Sequence, residues 1–270
     1  MPAASDRARL IAALDEQFAA LIDLGSGLDD AQWATQSEVP GWTIKDNFSH
    51  IIGTELMLLG RPDETIDVEP GEHVRNDIGS FNEVAVETRR SKSGAEVLAE
   101  FEQVAADRGT ALAGMSDADF EELGFTPAGQ DTYGRFMQIR VFDCWIHEQD
   151  CRGPLGMPGH VSGQSVEVAI DELITAMGFV VGKKAGAEPG QSVRLRLTGD
   201  TSRTIDVRVD GKAAVVDDLT DPTTTITIPT DLWFRFAAGR RPGDADHADV
   251  TIEGVGSLGR AVIENAAYTI

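Results

Sequence analysis

Lysine is scarce in this chain. Only five of the 23 basic residues are lysine, and they face 45 acidic residues, for a formal charge of −22 over 270 residues. That imbalance excludes nucleic acid as the main partner, because a phosphate backbone is held by a surplus of Lys and Arg. It also argues against an anionic membrane surface. No long apolar run occurs, and a membrane-spanning helix needs about 18 or more such residues. Met1 to Arg9 lead straight into an amphipathic pattern, without the apolar region of a secretory signal. Cysteine is limited to Cys144 and Cys151. On one helix their Cα atoms would lie about 10 Å apart, too far for a disulfide. The expected compartment is therefore a reducing cytoplasm. A P-loop, Gly-x-Gly-x-x-Gly, Gly-x-Ser-x-Gly and His-Glu-x-x-His are all missing.

What remains is ordinary globular material, 41% hydrophobic and 25% charged, enough for one or two domains. The first half reads as helices. Ser5 is placed to cap a helix from Asp6, in which Leu10, Ile11, Leu14, Phe18, Leu21 and Ile22 recur at three-to-four spacing until Gly25-Ser26-Gly27. Thr43 caps a second helix, about 44–59, which ends at Gly60-Arg61-Pro62. A third helical region covers about 78–114, with a break signalled near Ser91-Lys92-Ser93-Gly94. A loop with Pro127, Gly129 and Asp131 precedes a fourth helix, about 132–152. Four such helices predict a bundle over residues 1–153. Gly153-Pro154-Leu155-Gly156-Met157-Pro158-Gly159 is the strongest boundary signal. Beyond it a helix over about 165–181 is followed by alternating runs at 193–197, 205–209, 213–216 and 225–228. Asp210-Gly211 marks a hairpin between two of them. Helices near 230–238 and 256–266 flank a further strand at 250–253. Residues 160–270 thus form a small second domain, and the chain is of the α+β class.

The fourth helix carries the chemistry. Phe136, Arg140, Asp143, His147 and Asp150 fall at steps of four, three, four and three, forming one stripe. Most other positions between Phe136 and Ile146 are apolar. A thin polar line on such a helix faces either solvent or the bundle interior, where unpaired charge is costly. A metal would offset that cost. Asp143 and His147, at i and i+4, can reach one ion. His50, mid-helix on a largely apolar face, is the natural third ligand, though a lone histidine there is also an ordinary core residue. Three ligands from two helices leave a fourth position open, as in catalytic sites. An alternative set is Cys144, His147 and Cys151 on another face. Asp150 and Glu148 offer either a general base or an acceptor for the outer N–H of a metal-bound His. Asp150 is the catalytic candidate, and Arg140 the cofactor-binding one. His73, His160 and His247 sit in polar, loop-like surroundings and read as surface residues.

Pro40-Gly41-Trp42-Thr43-Ile44-Lys45-Asp46 followed by His50 resembles the second-helix signature of DinB-like metal-binding bundles. Arg140-Val-Phe-Asp-Cys-Trp-Ile-His-Glu-Gln-Asp150 resembles the fourth-helix motif of the mycothiol-dependent maleylpyruvate isomerase family. The segments 230–241 and 251–260 are similar to its C-terminal portion, so the likeness spans nearly the whole chain. It implies a DinB-like four-helix bundle followed by a small sterol-carrier-like α/β domain. It implies a divalent metal, zinc above all, on His50, Asp143 and His147, with mycothiol as co-substrate. The acidic position is usually Glu in the isomerases and is Asp143 here. The implied chemistry is S-transfer to, or isomerisation of, a small electrophile, with an Arg of the C-terminal domain, Arg240 or Arg235, holding an anionic substrate. The Arg-, Ala-, Gly- and Asp-rich composition agrees with an actinobacterial source. A monomer or homodimer is expected, with small-molecule partners. The contrasting reading is a non-catalytic module that binds metal or an apolar ligand.

Overall fold

The computed structural model describes residues 6–68, 71, 74 and 76–269. Ser5 and His73 lie outside the described residues. The chain divides into two compact units that part between His160 and Val161.

In the first unit, α1 (Arg7–Ser26), α3 (Ile44–Leu58), α5 (Gly94–Gly114) and α7 (Tyr133–Leu155) form a closed ring. Its neighbours are α1–α5, α5–α3, α3–α7 and α7–α1. The short α2 (Asp30–Trp33) and α6 (Asp117–Phe120) lie in the connections, and α4 (Asp77–Thr88) packs on α3. The cap of α1 is Asp6, whose carboxylate accepts from Arg9 N. The region expected as one helix over 78–114 is two. Ser93 and Glu96 form a reciprocal capping box that starts α5, and a chain cannot both cap a helix and continue one through the same residue. The expected loop before α7 contains a hairpin, β1 (Leu123–Thr126) and β2 (Gly129–Thr132), paired antiparallel. Strands of four residues are too short to show alternation.

Helix α7 runs on through Gly153 and Pro154, which the sequence reading placed in the linker. Pro154 has no N–H for the carbonyl of Asp150. That carbonyl instead accepts from the Glu38 N–H at 3.1 Å, tying the α2–α3 loop to α7.

The second unit holds a five-stranded sheet in the order β5-β4-β3-β6-β7. Its strands are β3 (Ser192–Thr198), β4 (Arg203–Asp210), β5 (Lys212–Val216), β6 (Thr224–Pro229) and β7 (Thr251–Gly254). All pairs are antiparallel except β3–β6. The β4–β5 turn needs a left-handed residue, and Gly211 supplies it at φ 71°. Helix α8 (Gln164–Phe179) passes into one π-helical turn, Val180–Lys184, and packs on β4 and β5. Helices α9 (Thr230–Ala237) and α10 (Gly256–Glu264) pack beside β6.

Candidate metal centre

Two caps set the phase of the two helices that build the site. Thr43 caps α3 reciprocally with Asp46, whose Oδ2 accepts from the Thr43 N–H at 2.8 Å. Thr132 caps α7 by accepting from Arg135 N at 3.1 Å. Just beyond Asp46, Asn47 and His50 lie three residues apart and share a buried face of α3. On α7 the stripe Phe136, Arg140, His147 and Asp150 is buried, and the Asp143 side chain stays 28% exposed. The polar line therefore points into the bundle.

His50 Nε2 lies 3.2 Å from Asp143 Oδ2, and His147 Nε2 lies 3.7 Å from Asp143 Oδ1. Ligand atoms of the three residues all fall within 4.8 Å of one another, and no other such His, Cys, Asp or Glu group occurs among the described residues. The protonation of His147 follows from its neighbours. Its Nδ1 is 2.9 Å from Asn47 Oδ1 and 3.1 Å from Asp150 Oδ2. Asn47 Nδ2 donates to the Thr43 carbonyl, so Asn47 Oδ1 is an acceptor. With two acceptors around it, Nδ1 must carry the proton. In the neutral ring Nε2 then presents a lone pair to a carboxylate. On the other ring, His50 Nδ1 is buried without a hydrogen-bond partner. Two imidazoles and a carboxylate form a donor set that fits a divalent transition ion, and the outer bonds on His147 are the usual support of a metal-binding His.

Burial pushes the Asp143 carboxyl up, but the Arg140 guanidinium and the two His rings outweigh it and hold it well below the usual range. Burial depresses His50 against the opposing pull of Asp143. Both shifts favour the forms that bind a metal: carboxylate and neutral imidazole.

The structure brings His50, Asp143, His147, Asp150 and Arg140 together. Arg140 is buried with each nitrogen engaged: Nε to Glu55 Oε1 at 2.8 Å, Nη1 to Asp143 Oδ2 at 2.5 Å and Nη2 to Cys144 Sγ at 3.3 Å. Glu55 Oε2 also accepts from Arg108 Nε at 2.7 Å, and Arg108 Nη2 donates to Tyr133 Oη at 3.1 Å. Arg140 thus faces Asp143 from inside the protein. Cys144 and Cys151 are free and buried, and desolvation pushes both thiols up. They join no metal-ligand group with His147. Arg235 lies on α9 and Arg240 just after it, in the second unit, where Arg240 Nη1 donates to the Ala238 carbonyl at 3.0 Å. His247 is half-buried, its Nδ1 accepting from Asp249 N. His160 is not a surface residue. Its Nδ1 is 2.6 Å from Glu148 Oε2 and its Nε2 3.3 Å from Glu16 Oε1.

Sequence reasoning quoted Trp42 in the second-helix signature without a role, and passed over Asn47 and the Glu55–Arg108 pair. The Trp42 ring lies 5.3 Å from His50 and 5.8 Å from His147, and its Nε1 donates to Glu83 Oε1 at 2.6 Å. Asn47 was accessible, since it lies three residues before His50 on the same face. Glu55 and Arg108 carry no local signal, because their pairing spans 53 residues.

Comparison with known proteins bears on the same region. The sequence pattern described as the mycothiol maleylpyruvate isomerase N-terminal domain matches residues 14–152. A crystal structure of the mycothiol-dependent maleylpyruvate isomerase is similar over 92% of both chains, at 16% identity and a TM-score of 0.57. A histidine-to-alanine variant of that enzyme is similar over the same shares, at 17% identity and a TM-score of 0.53. At these identities the likeness establishes the fold. No curated protein matches the chain.

Proposed function

The chain belongs to the mycothiol maleylpyruvate isomerase family, and from that premise we propose that it is a metal-dependent cytoplasmic enzyme. It uses a low-molecular-weight thiol, mycothiol, for S-transfer to, or isomerisation of, a small electrophile. The observation that carries this reading is the orientation of His147. Its outer nitrogen is held by Asn47 and Asp150, and its inner one faces Asp143 beside His50.

His50, Asp143 and His147 would hold the ion. A divalent cation such as zinc, when bound, supplies positive charge that stabilises a thiolate near neutral pH. The chain's own residues do the rest. Asn47 and Asp150 fix the His147 tautomer, so Asp150 acts by orienting a ligand. Arg140 holds Asp143 ionised and fixes which way its carboxylate turns. Trp42 walls the two rings on one side. We assign Arg240 to the carboxylate of an anionic substrate. The thiol gives up its proton, and its sulfur adds to a carbon–carbon double bond of the electrophile, whose π pair moves into the adjoining carbonyl. In an isomerisation the substrate rotates about the resulting single bond, the pair returns and the carbon–sulfur bond breaks; in a transfer the adduct takes up a proton and the carbon–sulfur bond persists.

The test is metal content and thiol dependence on the purified chain. About one zinc per chain is expected, with His50→Ala and His147→Ala each losing tight binding. Turnover of an electrophile such as maleylpyruvate should require mycothiol. No bound metal after loading with zinc or nickel would overturn the reading.

A further inference from the structure

The second unit has a feature that the metal centre does not use. An open surface cleft of about 500 Å³ is lined by the end of α8 and the β4–β5 hairpin. Its walls include Phe179, Lys183, Ala187, Val209, Lys212 and Ala213. We propose that this cleft binds a small organic anion with an apolar body.

The local sequence builds it in three ways. Gly178 and Gly182 let α8 and the π turn lie directly on β5. A Cβ at Gly178 would meet the Ala213 carbonyl oxygen at 2.7 Å, and one at Gly182 would meet Ala213 Cβ at 2.6 Å. The floor therefore stays apolar and carries no long side chain. The π turn, closed by Ala185 N to Val180 O at 2.8 Å, then separates two consecutive lysines. Lys184 Nζ is tied to the Ala267 carbonyl. Lys183 Nζ lies over the Phe179 ring, 5.8 Å from its centroid. Finally, the tight turn at Gly211 sets Lys212 into the cleft from the opposite wall.

The charge pattern points to an anion. Three of the five lysines are in this region. The other two are engaged elsewhere, Lys45 with the carbonyls of Arg90 and Lys92, and Lys92 with Glu100. Around the sheet, arginines pair with carboxylates: Arg194 with Asp206, Arg203 with Glu167 and Asp171, and Arg260 with Asp246. Lys183 and Lys212 have no ion-pair partner among the described residues, although the chain carries a charge of −22. Glu188 and Asp210, each next in sequence to a lining residue, neither line the cleft nor pair with these lysines. Two ammonium groups outside any ion pair beside an apolar floor match a ligand with one charged end, which would compete with Asp210, the cross-strand neighbour of Lys212. Phe179, half exposed, supplies the apolar contact.

Anilinonaphthalenesulfonate, an aromatic sulfonate, is the probe, titrated into the full chain. One saturable site is expected, weakened by salt because the lysines are exposed. Lys183→Gln/Lys212→Gln should lose affinity about tenfold or more, while the charge-matched Arg208→Gln/Arg260→Gln stays within about twofold. Naphthoate should displace the probe, and inorganic phosphate at equal concentration should not. The proposal is overturned if the lysine variant binds as tightly as wild type, or if both double variants weaken alike. It is equally overturned if neutral N-phenylnaphthylamine binds as tightly as the sulfonate, or if phosphate displaces it as well as naphthoate does. Circular dichroism of both variants confirms the fold; the substituted lysines are surface residues outside the core.

Discussion

The His147 ring has no rotational freedom to spare. Asn47 and Asp150 fix one edge, and Trp42 packs against its face. The grouping of the candidate ligands was legible in the sequence because helical spacing puts Asp143 and His147 on one face. Of the groups around His147, Asp150 was legible too, as a base or an acceptor on the same stripe, whereas Asn47, on the other helix, was passed over. His160 marks the opposite error. Its loop-like surroundings predict an exposed ring, yet Glu148 and Glu16 enclose it, and its carbonyl accepts from Trp145 Nε1 at 2.9 Å. Burial alone would depress this ring, but hydrogen bonds to the two carboxylates outweigh it and raise its pKa. The folded state thus binds the proton more tightly than the unfolded one. This stabilisation is complete below the ordinary value near 6.5 and fades as pH rises through the higher folded value. Melting temperature should therefore fall as pH rises above the ordinary histidine value, and fall less in His160→Gln. Equal slopes in the two proteins would show that His160 contributes nothing.

At the scale of elements, caps and turns were the most readable features, because each is a local bargain between a side chain and a few backbone groups. Thr43 and the Asp210-Gly211 turn stand where spacing puts them. The break between α4 and α5 shows how local that information is. Ser93 caps α5, and the next residue must be glycine, since a Cβ on Gly94 would sit 2.1 Å from the Trp33 ring. Ser93→Ala should cost about 1 kcal/mol, seen as a drop of roughly 2–4 °C in Tm. Gly94→Ala should cost more, by forcing the indole aside. The β1–β2 hairpin and the π turn were not legible. The first is too short for periodicity, and the second follows from the packing of α8 on β5, which no local window contains.

At the scale of the molecule, the change in periodicity after the Gly153–Gly159 boundary anticipated a helical unit followed by a mixed one. The order of the ring, α1–α5–α3–α7, was not readable, because non-neighbouring contacts are chosen by surface fit over long separations. No described helix is long and apolar enough to cross a membrane. The ligand helices are also far apart along the chain, with His50 and Asp143 separated by 93 positions. This separation has a kinetic consequence. A contact of such high sequence distance forms only when the ring closes, late on the folding route. An ion held there, as proposed, would strengthen contacts that the transition state lacks. In a chevron, the unfolding limb should slow markedly with zinc while the folding limb shifts by less than about twofold, and His147→Ala should show neither change. The three ligands would then act less as an anchor for assembly than as a latch, setting how long the bundle stays shut once it has closed.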